Sequence, residues 1–225
     1  MFLRSRPLAL LYRLIGVVLI AMGLIRLIDP LGSSPVWVAL LFYTTMSNVL
    51  ALVWMIAQSV WTSVDIGRRG VRGVSTISAR WGAPVMMVIT VTMLVYLIVL
   101  VPASYVQEGD YEPFTLTDNL IHIIAPLLLI GDWLLFAPKG RLRRIDPLLW
   151  LLIPLAYLVF AFVYGALGGR FGDVGKYPYP FMNVDILGVG GVALQVGMIA
   201  VGIVVIGYVY VVVDKLLARA AVTRR

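Results

Sequence analysis

The chain has 225 residues, of which 61% are hydrophobic and only 13% are charged. The charged share is about half that of a typical soluble protein, and a mean hydropathy of +0.99 leaves too few polar side chains to cover a water-facing surface. Composition therefore excludes a soluble globular protein and predicts one whose main solvent is lipid. Because the chain has no cysteine, disulfides, thiol nucleophiles and cysteine-bound metals are excluded as well.

Six apolar runs are long enough to cross a bilayer as helices of about 20 residues each. The predicted spans are residues 8–27, 36–61, 81–102, 120–136, 148–167 and 186–213. We expect the first run to be a retained helix rather than a cleaved signal peptide, because Arg13 interrupts it and no small-residue cleavage site follows. The predicted fold is therefore all-α, a polytopic membrane protein in which residues 1–225 form a single six-helix transmembrane domain.

Most Lys and Arg residues flank the runs on one predicted side of the membrane, before the first span, after the second, after the fourth and after the sixth. Since basic residues in short loops are retained in the cytoplasm, both termini are predicted to be cytoplasmic. These basic clusters favour contact with anionic lipid rather than with nucleic acid, and no nucleotide-binding motif accompanies them.

The second run carries polar residues close to its start, namely Thr44, Thr45, Ser47 and Asn48. Helical spacing places Thr44, Ser47 and Asn48 on one face. The hydroxyls of Thr and Ser can bond the carbonyl one turn back, but the amide of Asn48 cannot satisfy all its groups locally. This face is therefore predicted to border a cavity or a polar partner.

His122 is the only histidine and lies in the fourth run, one turn after Asp118 and one turn before Pro126. Asp118 can accept a hydrogen bond from one ring nitrogen and leave the other nitrogen free to act as a base. Pro126 has no N–H for the carbonyl of His122, so the helix is expected to loosen there. The alternatives are that His122 is only an interfacial anchor and that Asp118 caps the helix.

The predicted topology brings Thr44 and His122 into the same leaflet. The second and fourth helices both run inward, which places Thr44 about 12 Å and His122 about 3 to 6 Å below the start of their helices, at 1.5 Å per residue. Both side chains are therefore expected in the outer leaflet, where they can meet.

Two further sets of charged residues are predicted to form ion pairs. Asp132, near the inner end of the fourth helix, is expected to pair with Lys139 or Arg141. Arg26 is expected to pair with Asp29 at the membrane interface, or alternatively to hold a lipid carboxylate.

Three motifs occur in order along the six spans: Phe42-Tyr43-Thr44-Thr45-Met46-Ser47-Asn48, then His122-Ile123-Ile124-Ala125-Pro126 running on to Asp132-Trp133, then Tyr177-Pro178-Tyr179-Pro180-Phe181. Together they resemble bacterial relatives of the androgen-induced-gene and androgen-dependent tissue-factor-pathway regulator family of intramembrane threonine hydrolases. The resemblance covers essentially the whole membrane region. The third motif, with two prolines among aromatics, is predicted to form a semi-rigid outer loop that acts as a lid on the pocket, or alternatively part of the aromatic belt.

The resemblance implies a hydrolase that cleaves fatty acid esters of hydroxy fatty acids, or similar lipid esters, on the outer-leaflet side of a bacterial plasma membrane. Thr44 is similar to the family's nucleophile and His122 to its base. Because two threonines are adjacent, the nucleophile could be Thr44 or Thr45, whose side chains point about 100° apart around the helix. Thr44 is preferred because it shares a face with Asn48. The implied partners are a lipid substrate and the bilayer, and no metal or cofactor is expected.

The supporting roles follow from this chemistry. Ser47 or Asn48 is expected to donate a hydrogen bond to the developing oxyanion. Asp118 is expected to orient the imidazole, a role that a backbone carbonyl could equally fill. Contacts with the substrate are expected from Arg26, Tyr179 and Phe181.

Two other functions fit the same pattern. In a non-enzymatic protein that binds a lipid or small amphiphile, Thr44, Asn48 and His122 would only line the pocket. A transporter would require polar groups near the bilayer midplane and a route to both sides, and the predicted position of the polar residues in the outer leaflet disfavours it.

Overall fold

The computed structural model describes residues 3–31, 36–105 and 112–222. These residues contain no β-strand and six helices that are long and apolar enough to span a membrane, so the predicted all-α, six-helix fold is confirmed. The helices are α1 (Arg6–Ile28), α2 (Tyr43–Arg69), α3 (Ala79–Ser104), α4 (Leu116–Phe136), α5 (Asp146–Ala166) and α6 (Val184–Val222). The last of these is kinked at Gly188, whose φ of 67° and ψ of 168° are not helical.

The start of α2 differs from the predicted span. Trp37–Leu41 form a 3₁₀ turn, Phe42 is extended, and the α-helix begins at Tyr43. The ring of Phe42 packs edge-to-face on that of Tyr179, with 6.0 Å between centroids, and this contact accompanies the break. Thr44 therefore lies in the first turn of α2, and the prediction of a continuous helix before it was wrong.

Two helices contain a π-helical turn followed by a proline. The turns are Tyr96–Leu100 in α3 and Asn119–Ile124 in α4, and Pro102 and Pro126 follow them. A proline inside a helix leaves a carbonyl without its usual donor, and the wider π turn accommodates the changed pairing. The residue after each π turn donates its N–H to the carbonyl five positions back. The loosening expected ahead of Pro126 is thus present as a π turn.

A close approach between α1 and α4 positions the second π turn. A Cβ atom added at Gly23 would lie 2.8 Å from Cγ2 of Ile121 and 3.0 Å from Cβ of Leu120. Only a hydrogen atom fits at that distance, so glycine allows α1 to pack directly against this part of α4.

A buried ion pair joins α1 to α4 further along the bundle. Nε of Arg13, a fully buried residue, lies 2.7 Å from Oδ1 of Asp132. The same guanidinium donates to Oγ1 of Thr62 in α2 and to the carbonyl of Ser75, at 2.5 and 3.0 Å. Because the charge is both paired and hydrogen-bonded, its burial is compensated, and it connects three helices.

The prediction that Asp132 pairs with Lys139 or Arg141 was therefore wrong. Arg13 reaches the carboxylate from the neighbouring helix. Lys139 instead donates to the carbonyls of Trp133 and Ala137, at 2.5 and 2.7 Å. Carbonyls in the last turn of a helix lack intrahelical donors, and a cation there satisfies them.

The helices leave an open region between α5 and the rest of the bundle. The first turn of α5, Asp146–Trp150, packs against α6, and Asp146 also forms an ion pair of 2.7 Å with Arg80 of α3. The rest of α5, Leu152–Ala166, makes few close backbone approaches to the other helices. This separation leaves a cavity near the start of α2.

Candidate functional site

The side chains of Thr44 and His122 meet at one end of the bundle. Oγ1 of Thr44 lies 3.5 Å from Nε2 of His122, which confirms the expectation that the two residues come together. Thr44 is placed by the first turn of α2 and His122 by the π turn of α4. The distance is at the long end for a hydrogen bond.

The imidazole of His122 is held by Tyr96 of α3. The two rings stack with 4.1 Å between centroids and 7° between planes. Tyr96 is fully buried, and its hydroxyl accepts a hydrogen bond of 2.8 Å from the N–H of Phe114. Each ring belongs to a π turn, so the two irregular helix segments face each other and fix the plane of the imidazole.

Asp118 does not hydrogen-bond the imidazole. Its Oδ1 lies 3.7 Å from Nδ1 of His122, which allows electrostatic attraction and is too long for a hydrogen bond. Nδ1 has no hydrogen-bond partner in the described part of the chain. The other carboxylate oxygen accepts from Oγ1 of Thr115 at 2.7 Å, and Thr115 rather than Asp118 is the N-cap of α4.

Ser47 and Asn48 share a face with Thr44, as predicted, but their donors are already used. Both side chains donate to the carbonyl of Thr44 at 2.8 Å, and Asn48 also donates to the carbonyl of Ile121 at 3.0 Å. With these bonds in place both donors are engaged in this structure, and their role toward an oxyanion stays a prediction. Asn48 instead ties α2 to α4 beside His122.

Thr45 has no comparable contact with the histidine. Its side chain is 1% exposed, and Oγ1 has no hydrogen-bond partner among the residues described. Successive residues of a helix point about 100° apart, so Thr44 and Thr45 face different neighbours. The geometry therefore favours Thr44 as the residue that can exchange a proton with His122.

A cavity adjoins Thr44 between α2, α3, α5, α6 and the loop before α6. It has about 670 Å³ of unfilled space, including the part open to the surroundings. Most of its wall is aliphatic, and none of the described residues that line it is charged. The lining residues that carry a hydroxyl are Tyr43, Thr44, Thr92, Tyr157 and Tyr179. His122 is not part of the described lining and reaches the cavity only through Thr44.

The three predicted substrate contacts fall into two groups. Tyr179 and Phe181 line the cavity, and their rings stack with 5.3 Å between centroids. Arg26 lies elsewhere, since its Nε donates to Oγ1 of Thr117 at an exposed position and it is absent from the described lining. The predicted ion pair between Arg26 and Asp29 is not formed in the described residues.

Tyr96 is a site residue that the sequence analysis missed. Its position in the sequence carried a signal. Tyr96 precedes a proline inside an apolar span, as His122 does in its own span. The recurrence of that pattern in α3 and α4 could have indicated two matching irregular turns.

The site thus combines a hydroxyl and an imidazole at the edge of an uncharged cavity. These features arise from three separate parts of the chain, the start of α2, the π turn of α4 and the loop before α6. In comparisons with known proteins, the chain matches no protein-family model, no curated protein and no solved structure.

Proposed function

We propose that this protein is an intramembrane hydrolase of lipid esters in which Thr44 is the nucleophile and His122 the general base. The observation that carries the proposal is the contact between Oγ1 and Nε2 beside an apolar cavity. A threonine hydroxyl is a weak nucleophile unless a neighbouring base takes its proton, and His122 is the only histidine of the chain. The resemblance of the motifs to the intramembrane threonine hydrolases supports the same pair.

In the acylation step, Oγ1 of Thr44 attacks the carbonyl carbon of the ester while its proton passes to Nε2 of His122. The new C–O bond forms as the carbonyl π electrons move onto oxygen and create an oxyanion. When this intermediate collapses, the bond to the alcohol oxygen breaks, and the alcohol leaves with the proton from His122. The product is an acyl group bound to Thr44.

In the deacylation step, a water molecule attacks the acyl carbon and gives a proton to His122. Collapse of the second intermediate breaks the bond to Oγ1 of Thr44, which recovers the proton from His122. One ester and one water are consumed, and one carboxylic acid and one alcohol are formed.

The lining of the cavity favours the proposal that the substrate has a long acyl chain. Its aliphatic wall offers no partner for a charged group, and its hydroxyls include that of Thr44. A chain entering from the bilayer already lies in hydrocarbon, so the cavity would select substrates by shape rather than by hydrophobic gain. Fatty acid esters of hydroxy fatty acids carry two such chains, and their free carboxylate would have to lie outside this uncharged cavity.

The proposal includes an orientation. Arg6 donates to the carbonyls of Arg69, Gly70 and Arg72 at the end of the bundle where α1 starts and α2 finishes. The site lies at the opposite end, where α2 and α4 begin. If basic residues are retained in the cytoplasm, Thr44 opens toward the outer leaflet.

The experiment is hydrolysis of a long-chain p-nitrophenyl ester by purified protein in detergent, with Thr44→Ala and His122→Ala compared with Thr45→Ala. Thr45 is the matched control because it is the same residue type, one position further along the helix. We expect both site variants to lose at least about 1,000-fold in kcat/KM, as for other nucleophile and base pairs, and Thr45→Ala to stay active. Wild-type rates in a folded Thr44→Ala protein would refute the proposal.

A non-enzymatic lipid-binding protein is the second candidate. It is favoured by one observation, that His122 lies behind Thr44 and not in the described cavity wall. Such a protein would retain a bound lipid without releasing acid or alcohol, so the same assay distinguishes the two functions.

A further inference from the structure

We propose that Tyr179 is a further catalytic residue, whose phenolic O–H donates a hydrogen bond to the oxyanion that forms when Thr44 attacks the ester. The inference rests on the proposed hydrolysis and assigns the group that stabilises its intermediate.

The position of Tyr179 next to the nucleophile is the first argument. Its hydroxyl oxygen accepts a hydrogen bond from the backbone N–H of Thr44, with an N···O distance of 3.4 Å. Tyr179 is 9% exposed and lines the same cavity as Thr44. The oxyanion would be bonded to the same carbon as Oγ1 of Thr44, so it would form beside this phenol.

The other hydroxyls of the cavity are already committed. Tyr157 donates to the carbonyl of Leu41 at 3.1 Å, and Tyr43 donates to the carbonyl of Val88 at 3.3 Å. By contrast, no carbonyl within the described ranges accepts a hydrogen bond from Tyr179. Its hydrogen-bonding neighbours are instead the hydroxyls of Thr44 and Tyr157. Because a hydroxyl can rotate, its proton can turn from them to an oxygen that approaches Thr44 from the cavity.

The third candidate hydroxyl and the two predicted donors are also engaged. Thr92 shares a hydrogen bond of 2.7 Å with Ser47. Ser47 and Asn48 both donate to the carbonyl of Thr44, which in a helix points in the opposite direction to its N–H.

The chemical state of the phenol suits a donor. Burial raises the pKa of Tyr179 above its ordinary value, so the group stays protonated at neutral pH. The N–H of Thr44 that donates to its oxygen polarises the O–H bond, because consecutive hydrogen bonds strengthen one another. This N–H lies in the first turn of α2, where the helix dipole favours negative charge.

The ring of Tyr179 is fixed before substrate arrives. It stacks on Phe181 with 4° between planes and meets Phe42 edge-to-face, with 6.0 Å between centroids. Pro180 directly follows it and opens a 3₁₀ turn. A donor held in place in this way does not have to reorganise during the reaction, which is the condition for effective oxyanion stabilisation.

The test compares Tyr179→Phe with wild type and with Tyr177→Phe in hydrolysis of the long-chain p-nitrophenyl ester. Tyr177 is the matched control, because its hydroxyl lies in the same loop and contacts Asp185 at 3.3 Å instead of Thr44. We expect Tyr179→Phe to lower kcat by about 100- to 1,000-fold, the loss typical of one oxyanion donor. KM should change little, and Tyr177→Phe should keep wild-type kinetics.

A second measurement separates catalysis from structure. A long-chain alkylboronic acid forms a tetrahedral adduct with a hydroxyl nucleophile and carries an oxygen at the oxyanion position, whereas an ether analogue of the substrate has no such oxygen. Tyr179→Phe should weaken binding of the boronic acid by the same factor as it lowers kcat, and it should leave binding of the ether unchanged. Equal weakening of both ligands would assign Tyr179 a merely structural role and overturn the inference.

The outcomes distinguish this inference from the function on which it rests. If wild type hydrolyses the ester, Thr44→Ala does not, and Tyr179→Phe retains wild-type kcat, only the assignment of Tyr179 fails. If wild type itself neither hydrolyses the ester nor binds the boronic acid, both proposals fail.

Discussion

Oγ1 of Thr44 lies 3.5 Å from Nε2 of His122, although 78 residues separate them along the chain. The contact depends on two irregular features, the late start of α2 and the π turn of α4. Asn48 bonds both segments at once, through the carbonyls of Thr44 and Ile121. The backbone segments that carry the two side chains are therefore held together, and this fixes the distance between Thr44 and His122.

The stack of Tyr96 on His122 should matter for activity through the ring and not through the hydroxyl. Tyr96→Leu removes the aromatic surface that fixes the imidazole plane and should lower kcat by about tenfold or more, as expected when a catalytic group is mispositioned. Tyr96→Phe keeps the ring and should retain most of the activity. Ester hydrolysis by the two variants checks this, and equal losses would contradict it.

The close contact of α1 with α4 should make Gly23 intolerant of a side chain. A Cβ there would stand 2.8 Å from Ile121, so Gly23→Ala should displace the π turn and lower both the thermal unfolding temperature and the ester hydrolysis rate. Gly190→Ala is the matched control, because its added Cβ would meet no described atom within 4 Å. Because Gly190 lies in the first turn of the helix that resumes after Gly188, the control should change the unfolding temperature little. Similar melting temperatures for the two variants would contradict the packing argument.

The buried ion pair of Arg13 and Asp132 should show strong coupling. Either Arg13→Met or Asp132→Asn alone leaves a buried group without its partner and should destabilise the fold by about 3 to 5 kcal/mol. The double variant buries no unpaired charge and should lose less than the sum of the two single changes. A double-mutant cycle of thermal stability in detergent measures this coupling, and strictly additive losses would argue against a direct pair.

The cavity wall should set the acyl chain length that the protein accepts. Ala200 lines the cavity, so Ala200→Phe should shift the preferred p-nitrophenyl ester toward shorter chains by filling part of the space. Val201 is the neighbouring residue and is 64% exposed, so Val201→Phe should leave the preference unchanged. Comparing kcat/KM across a series of chain lengths tests this. A shift that is the same in both variants would show that the chain binds elsewhere.

The sequence was sufficient to predict the six spans and, together with the resemblance of the motifs to a known family, the pairing of Thr44 with His122. Length and apolarity of a run suffice to predict a membrane-spanning helix, and the spacing of Thr44, Ser47 and Asn48 predicted their shared face. The late start of α2 was not predictable in the same way. It accompanies packing of Phe42 on Tyr179, a contact between residues far apart in the chain.

The hydrogen-bond partners of the polar side chains could not be predicted from the sequence either. Asp132 had several possible cationic partners, and only the helix packing selects Arg13. The sequence indicated that the amide of Asn48 had donors to spare, but in the folded chain it donates to the carbonyls of Thr44 and Ile121. Asp118 is at the predicted spacing from His122, yet Thr115 takes one of its oxygens and the ring nitrogen remains 3.7 Å from the other.

The most direct test of the central claim is to locate the covalent intermediate. Purified protein is treated with a fluorophosphonate bearing a long alkyl chain, digested, and the modified residue is identified by mass spectrometry, with Thr45→Ala as the control. The account predicts one adduct, on Thr44, that forms in Thr45→Ala and is lost in Thr44→Ala. An adduct on another residue, or ester hydrolysis that continues in folded Thr44→Ala protein, would contradict it.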